Sequence, residues 1–122
     1  MTETEFEQAV VDLAHIFGWM VAGFRPAMTG KGWRTPVKHD GKGYPDLTLV
    51  HPCGAIIVAE LKTGRGRRTP EQLAWADVFA DVWANGVPVY RLWRPSDGDE
   101  IVQLLSHGRV TAWPTTERTH TP

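Results

Sequence analysis

Asp46 follows Pro45 at the head of a short apolar run, Leu47-Thr48-Leu49-Val50, and Glu60 and Lys62 close a second one, Ala55-Ile56-Ile57-Val58-Ala59. Each run reads as a strand. Side chains two apart on a strand share a face, so Glu60 and Lys62 project one way and Leu61 the other. His51-Pro52-Cys53-Gly54 supplies turn chemistry between the runs, which predicts an antiparallel hairpin returning the end of the second strand toward Asp46. Two carboxylates meeting at a strand end repel each other unless a counter-charge is present. A hard divalent cation is one such charge: Mg²⁺ takes one or two carboxylates and keeps waters that can act as nucleophiles. Lys62, a compact cation on the same face, could orient or help deprotonate an attacking water, or stabilise charge building on a phosphate. Taken one at a time, the same residues have plainer uses. Asp46 could be a strand-start residue after proline, and Glu60 with Lys62 a surface ion pair worth about 0–1 kcal/mol.

The flanking segments supply the substrate side. Residues 1–24 carry Glu3, Glu5, Glu7 and Asp12 without a single Lys or Arg, whereas Arg25, Lys31, Arg34, Lys38 and Lys42 follow with only Asp40 opposing them. A second basic cluster, Lys62, Arg65, Arg67 and Arg68, follows the second strand. These side chains are candidates for holding a phosphodiester backbone. Of six tryptophans, only Trp33 lies inside a basic loop, where a base could stack on it. Net charge is −1, so any attraction to a polyanion has to be local. Metal-assisted phosphodiester hydrolysis is the chemistry this pattern predicts.

The elements that must position these residues follow from periodicity. Glu3–Phe17 has Phe6, Val10, Leu13, Ala14 and Phe17 at helical spacing, Thr2 or Thr4 as cap, and Gly18 as stop. Trp19–Phe24 reads as a strand closed by Arg25-Pro26, and Ala27–Gly43 as a mobile surface loop. Thr69-Pro70-Glu71-Gln72 starts a helix expected to run to Asn85-Gly86. There Gln72 can close a capping box, and Leu73, Ala76, Phe79, Ala80 and Trp83 form the core stripe. Val87–Trp93 is a further strand, Pro95–Gly98 a turn, Glu100–Leu105 a short helix and Arg109–Trp113 a candidate terminal strand. The fold class is therefore α/β, in the order α-β-β-β-α-β-α. One domain is expected over residues 1–113, with a polar, poorly ordered tail at 114–122. A lone Cys53 leaves no internal disulfide, and with no apolar run long enough to span a bilayer the expectation is a cytoplasmic protein without a membrane partner. His15, His39, His51, His107 and His120 lack metal-ligand spacing, and only His39, in the basic loop, is placed to touch substrate.

Pro45-Asp46 followed by Glu60-Leu61-Lys62 resembles the signature of the PD-(D/E)XK nuclease superfamily. Gly43-x-Pro45-Asp46, Glu60-x-Lys62, Thr69-x-x-Gln72 and a glycine before a strand at Gly86-Val87 together resemble its VRR-NUC branch, over the chain up to about Leu105. The resemblance implies a restriction-endonuclease-like core with a mixed sheet flanked by helices. It also implies Mg²⁺ or Mn²⁺ dependence and endonuclease activity on DNA, in some stand-alone members on branched structures such as Holliday junctions. By the same match Asp46 and Glu60 are metal ligands with the Leu61 carbonyl as a third, Lys62 is the catalytic lysine, and Gln72 is a helix residue near the site. A first-helix glutamate is implied too. Counting back from Gly18 as in the VRR-NUC branch selects Glu3, and counting as in the similar archaeal Holliday-junction resolvases selects Glu7. So small a domain, cutting a branched substrate symmetrically, is expected to act as a homodimer. The alternative from a different class is a non-catalytic DNA-binding or assembly module with a nuclease fold.

Overall fold

Thr2 opens the first element through a reciprocal capping box, its Oγ1 accepting from the Glu5 N–H at 3.1 Å while Glu5 Oε1 accepts from the Thr2 N–H at 2.7 Å. The helix it starts, α1 (Glu3–Ile16), buries Phe6, Val10 and Ala14 on one stripe. Gly18, at φ +88°, ends it. The Gly18 and Trp19 N–H groups donate to the His15 and Ala14 carbonyls, each at 3.0 Å, the paired closure that needs a left-handed residue after the helix. This computed structural model describes residues 1–24, 38–82 and 89–107 and the backbone alone of 27–29, 32–34, 83 and 108–110.

Among the described residues six strands follow: β1 (Met20–Gly23), β2 (Ala27–Thr29), β3 (Gly32–Arg34), β4 (Leu47–Val50), β5 (Ile56–Leu61) and β6 (Val89–Trp93). Four form one mixed sheet in the order β1-β4-β5-β6, with β1–β4 and β4–β5 antiparallel and β5–β6 parallel. Helix α2 (Pro70–Trp83) makes the crossover between β5 and β6. A 3₁₀ turn at Pro95–Asp97 leads from β6 into α3 (Gly98–Val110). The chain is thus α/β, a mixed four-strand sheet flanked by helices.

Strand β5 runs through the middle of the sheet, and Ile57 to Leu61 are all buried. Its odd-numbered residues Ile57, Ala59 and Leu61 join Leu47, Leu49, Val89 and Trp93 against Phe6, Val10 and Ala14 of α1 and Ile101 and Leu105 of α3. The even-numbered face belongs to α2. There Tyr44 packs edge-on against Trp75 and Phe79, and Phe79 stacks on Tyr90 of β6 at 5.9 Å with 17° between the rings.

Several expectations change. Residues 27–29 and 32–34, expected in a mobile loop, pair as an antiparallel hairpin with Met28 opposite Trp33. Strands of three residues in Gly- and Pro-rich sequence have too few positions to show a period of two. The adjoining stretch, residues 38–44, is pinned: the Gly41 N–H donates to Lys38 O and the Tyr44 N–H to Gly41 O, each at 3.0 Å, and Trp75 Nε1 donates to Asp40 O, also at 3.0 Å. Helix α2 is rotated from the expected stripe, since Leu73 is exposed while Gln72, Trp75 and Phe79 turn inward. The aromatic packing around Tyr44 outweighs one leucine. Helix α3 runs through Arg109 and Val110, where a strand was expected, because its Ile101 and Leu105 stripe packs against α1 and each further residue adds a helical hydrogen bond. The rest of that expected strand, the tail at 114–122, and the Asn85-Gly86 and Gly86-Val87 boundaries lie outside the described residues.

Candidate functional site

The ends of β4 and β5 bring the two predicted carboxylates together on the α2 face. The β4–β5 register pairs Leu47 with Ala59 and Thr48 with Val58, so Asp46, one step before β4, stands opposite Glu60. Asp46 continues the ladder on both sides. Its carbonyl accepts from the Phe24 N–H at 2.8 Å, and its Oδ2 accepts from the Leu61 N–H at 2.8 Å, where β4 offers no further backbone acceptor. In a strand the N–H and C=O of one residue point to the same edge, so the Leu61 carbonyl faces the Asp46 side too.

Glu60 is fully buried, at 0% exposure. Its Oε1 accepts from Gln72 Nε2 at 3.0 Å, and its Oε2 is buried with no hydrogen-bond partner. Burial first, then the Asp46 charge and a hydrogen bond to Asp46, push the Glu60 carboxyl from 4.5 up to about 8, against the opposing pull of Lys62 and Arg68. These observations agree. With both acids ionised Oε2 has no hydrogen-bond donor, and a proton on Glu60 would bridge it to Asp46. A cation there would do the same service.

Gln72 holds Glu60 while also building its helix. Gln72 Oε1 accepts from the Thr69 N–H at 2.8 Å, and Thr69 Oγ1 accepts from the Gln72 N–H at 3.2 Å, the reciprocal box that starts α2. The Thr69 N–H can only donate, so the amide oxygen must face it and the NH₂ group is left for Glu60. Gln72 therefore both closes the capping box and bonds Glu60. Gly43 makes this approach possible. It lies at φ +85° against the start of α2, and a Cβ there would fall 2.6 Å from the Glu71 backbone carbon and 2.8 Å from the Gln72 nitrogen.

Lys62 leaves the end of β5 half-buried, its N–H donating to Trp93 O at 3.0 Å. Gly66 of the following loop lies against its stem. Of the arginines in that loop, Arg65 and Arg67 are exposed, whereas Arg68 turns inward and its Nη1 donates to Tyr90 Oη at 3.3 Å. Burial raises the Tyr90 phenol above its ordinary value, and the neighbouring Glu60 and Asp46 charges add to the rise while Arg68 opposes it.

The other predicted residues are less gathered. Glu3 and Glu7 are half-buried on α1, and among the described residues no group of three or more His, Cys, Asp or Glu could hold a metal ion, so neither glutamate makes Asp46 and Glu60 a three-carboxylate set. Lys38 and Lys42 are exposed, and Lys42 Nζ lies 3.9 Å from Glu71 Oε2. Trp33 and Arg34 fall in β3, but their side chains, like Arg25 and Lys31 altogether, lie outside the described residues. His39 is exposed, at φ 58°. His51 is structural: Nδ1 accepts from the Cys53 N–H, which leaves Nε2 to donate to Phe17 O, both at 3.1 Å.

Sequence reasoning missed two residues here. Tyr90 reaches the site only because β6 lies parallel to β5, with Tyr90 opposite Val58 and Leu92 opposite Glu60. Arg94 fixes the basic loop, its Nη1 donating to Gly64 O at 3.2 Å and its Nη2 to Gly66 O at 2.8 Å. No local motif marks either, since both depend on contacts across the α2 crossover. No described helix is long and apolar enough to cross a membrane. No protein-family model, no characterised protein and no solved structure matches this chain.

Proposed function

We propose that this chain is a divalent-metal-dependent endonuclease that hydrolyses DNA phosphodiester bonds, with a restriction-endonuclease-like PD-(D/E)XK core similar to the VRR-NUC branch. Glu60 carries this reading. A fully buried carboxylate with one orphaned oxygen, facing a second carboxylate, is costly in a purely structural role and is suited to a cation. Asp46 and Glu60, with the Leu61 carbonyl, form an all-oxygen donor set of the kind Mg²⁺ or Mn²⁺ takes, and the remaining positions would be left to water and phosphate.

Such a metal, when bound, supplies positive charge to phosphate oxygens and a water of lowered pKa. The chain's own groups do the rest. Gln72 fixes the Glu60 carboxylate, the Leu61 N–H fixes that of Asp46, and Lys62 orients the attacking water or donates to the phosphate as charge builds. The water oxygen bonds to phosphorus, the bond from phosphorus to one sugar oxygen breaks, and that oxygen leaves with a proton. Arg65, Arg67, Lys38 and Lys42, all exposed, are the described candidates for holding the flanking backbone.

The test is incubation with labelled four-way junction, flap, linear duplex and single-stranded DNA in Mg²⁺, Mn²⁺ or EDTA, beside Asp46→Ala. Cleavage by the wild type that is lost both in EDTA and in the variant is expected; full activity in either would overturn the reading. A second reading, a DNA-binding or assembly module that does not turn over, is favoured by the absence among the described residues of a third carboxylate at the pair. It predicts junction binding with steep salt dependence and no nicks in either metal. In the cytoplasmic, homodimeric enzyme proposed here, light scattering at micromolar concentration gives twice the chain mass.

A further inference from the structure

We infer that Arg68 is a second substrate-contacting cation of this site, its guanidinium held by the Tyr90 hydroxyl so that it donates to a non-bridging oxygen of the phosphate lying against Asp46, Glu60 and Lys62. The inference rests on the phosphodiesterase reading above and singles out, from the basic cluster Lys62, Arg65, Arg67 and Arg68, the one arginine that turns toward the site.

The loop that carries Arg68 is anchored rather than loose. Arg94 donates to the Gly64 and Gly66 carbonyls, Arg94 N–H is itself tied to Asp97 Oδ2 at 2.8 Å, and the Gly66 N–H closes a turn on Thr63 O at 3.1 Å. With the backbone pinned, the three arginines divide by direction: Arg65 and Arg67 face solvent and Arg68 faces the sheet. Tyr90 gives Arg68 a fixed partner, because its ring is stacked on Phe79 and its β6 position places it on the face that carries Glu60.

A structural arginine beside two carboxylates would be expected to form a forked, charge-assisted pair with one of them. Among the described residues the Arg68 hydrogen bond goes instead to a neutral phenol, and at 3.3 Å it is long. Most of the five guanidinium donors therefore remain for another acceptor. The charge balance gives that acceptor its class. Two carboxylates and a divalent cation cancel, and Lys62 with Arg68 leaves two positive charges, the complement of the doubly negative phosphorus centre formed when hydroxide adds to a phosphodiester. Tyr90 touches no substrate in this arrangement and is a positioning residue.

Two measurements test this. In metal-free protein, the side-chain ¹⁵Nε resonance of Arg68, assigned by its loss in Arg68→Lys, should shift on adding the labelled junction or duplex; an unmoved resonance under saturating DNA would overturn the contact. In Mg²⁺, Arg68→Ala and Arg68→Lys should lower kcat by about 100-fold with KM changed less than about threefold, the signature of a donor used in the transition state. Guanidinium ion should restore part of the Arg68→Ala activity and none of that lost in Asp46→Ala. Tyr90→Phe should lower kcat less, and should add nothing in the Arg68→Ala background, because its effect passes through the arginine. A kcat unchanged in both arginine variants, or one that falls only as fast as the melting temperature, would sink the assignment. If the wild type cuts no DNA while the Nε resonance still shifts, the nuclease reading falls and the phosphate contact stands.

Discussion

An acid buried in a central strand needs either a proton or a cation to cover its charge, and Glu60 has one hydrogen bond, from Gln72, for two oxygens. In metal-free protein the proton prevails, which fixes the sign of the pH dependence. The folded-state value, raised to about 8, lies above the ordinary 4.5, so this group's contribution to stability is fully present below about 4.5 and is lost as pH rises through about 8. Glu60→Gln keeps an acceptor for Gln72 and replaces the Glu60 proton with an amide donor toward Asp46. The variant is expected to be inactive yet more stable at pH 8, its melting temperature exceeding that of the wild type by about 4 °C, the shift that roughly 1 kcal/mol produces in a small domain. The gap should close toward pH 4.5 when both are melted in EDTA, and parallel curves would contradict it. This pair was legible because a period of two and one turn suffice to bring Asp46 and Glu60 together. Arg68 on Tyr90 was not, because no local pattern carries the parallel register of β6.

At the scale of elements, Gly43 and Gln72 couple the loop before β4 to the start of α2. Gly43→Ala forces a left-handed backbone on a residue with a Cβ and drives that carbon into the first turn of the helix. Left-handed strain of about 1–2 kcal/mol and overpacking of about 1–3 kcal/mol together predict a loss of about 2–5 kcal/mol in urea denaturation, with cleavage falling further because Gln72 moves. A midpoint within experimental error of wild type would show that the contact is relaxed in solution. Gln72→Glu separates the two roles of this side chain: a glutamate still closes the capping box with Thr69, so the start of α2 is kept and the stability lost, about 1–3 kcal/mol, comes from the unpaired Glu60. It has no donor for Glu60 and adds a third negative charge, so cleavage should fall steeply. Equal activity in the two proteins would confine Gln72 to capping. The capping box was readable from Thr69-Pro70-Glu71-Gln72, but the amide's second bond was not, since it depends on where β5 ends. The β2–β3 hairpin and the full length of α3 escaped for the complementary reason, that short or glycine-containing segments carry little periodic signal and are decided by what they pack against.

For the molecule as a whole, the proposed metal centre would link folding, proton uptake and cation binding through the same two carboxylates. A cation that enters between Asp46 and Glu60 must displace the Glu60 proton, so each binding event should release about one proton below pH 8. The apparent affinity for Mg²⁺ should then tighten about tenfold per pH unit from 6 to 8 and level off above, as the proton ceases to compete. Titration calorimetry in two buffers of different ionisation enthalpy counts that proton directly. A cation held between Asp46 and Glu60 would require the folded chain, so Mg²⁺ at about 100 times its dissociation constant should stabilise the protein by about 2.7 kcal/mol. That gain should largely vanish in Asp46→Asn and in Glu60→Gln. The metal-free and Mg²⁺-bound stability curves should accordingly meet near pH 5 and diverge toward pH 8, where the bare pair is least tolerable and the bound pair is neutralised. An affinity independent of pH, with no proton released, would mean that any cation the protein takes up binds elsewhere, and the reading of this carboxylate pair as its metal centre would fail with it.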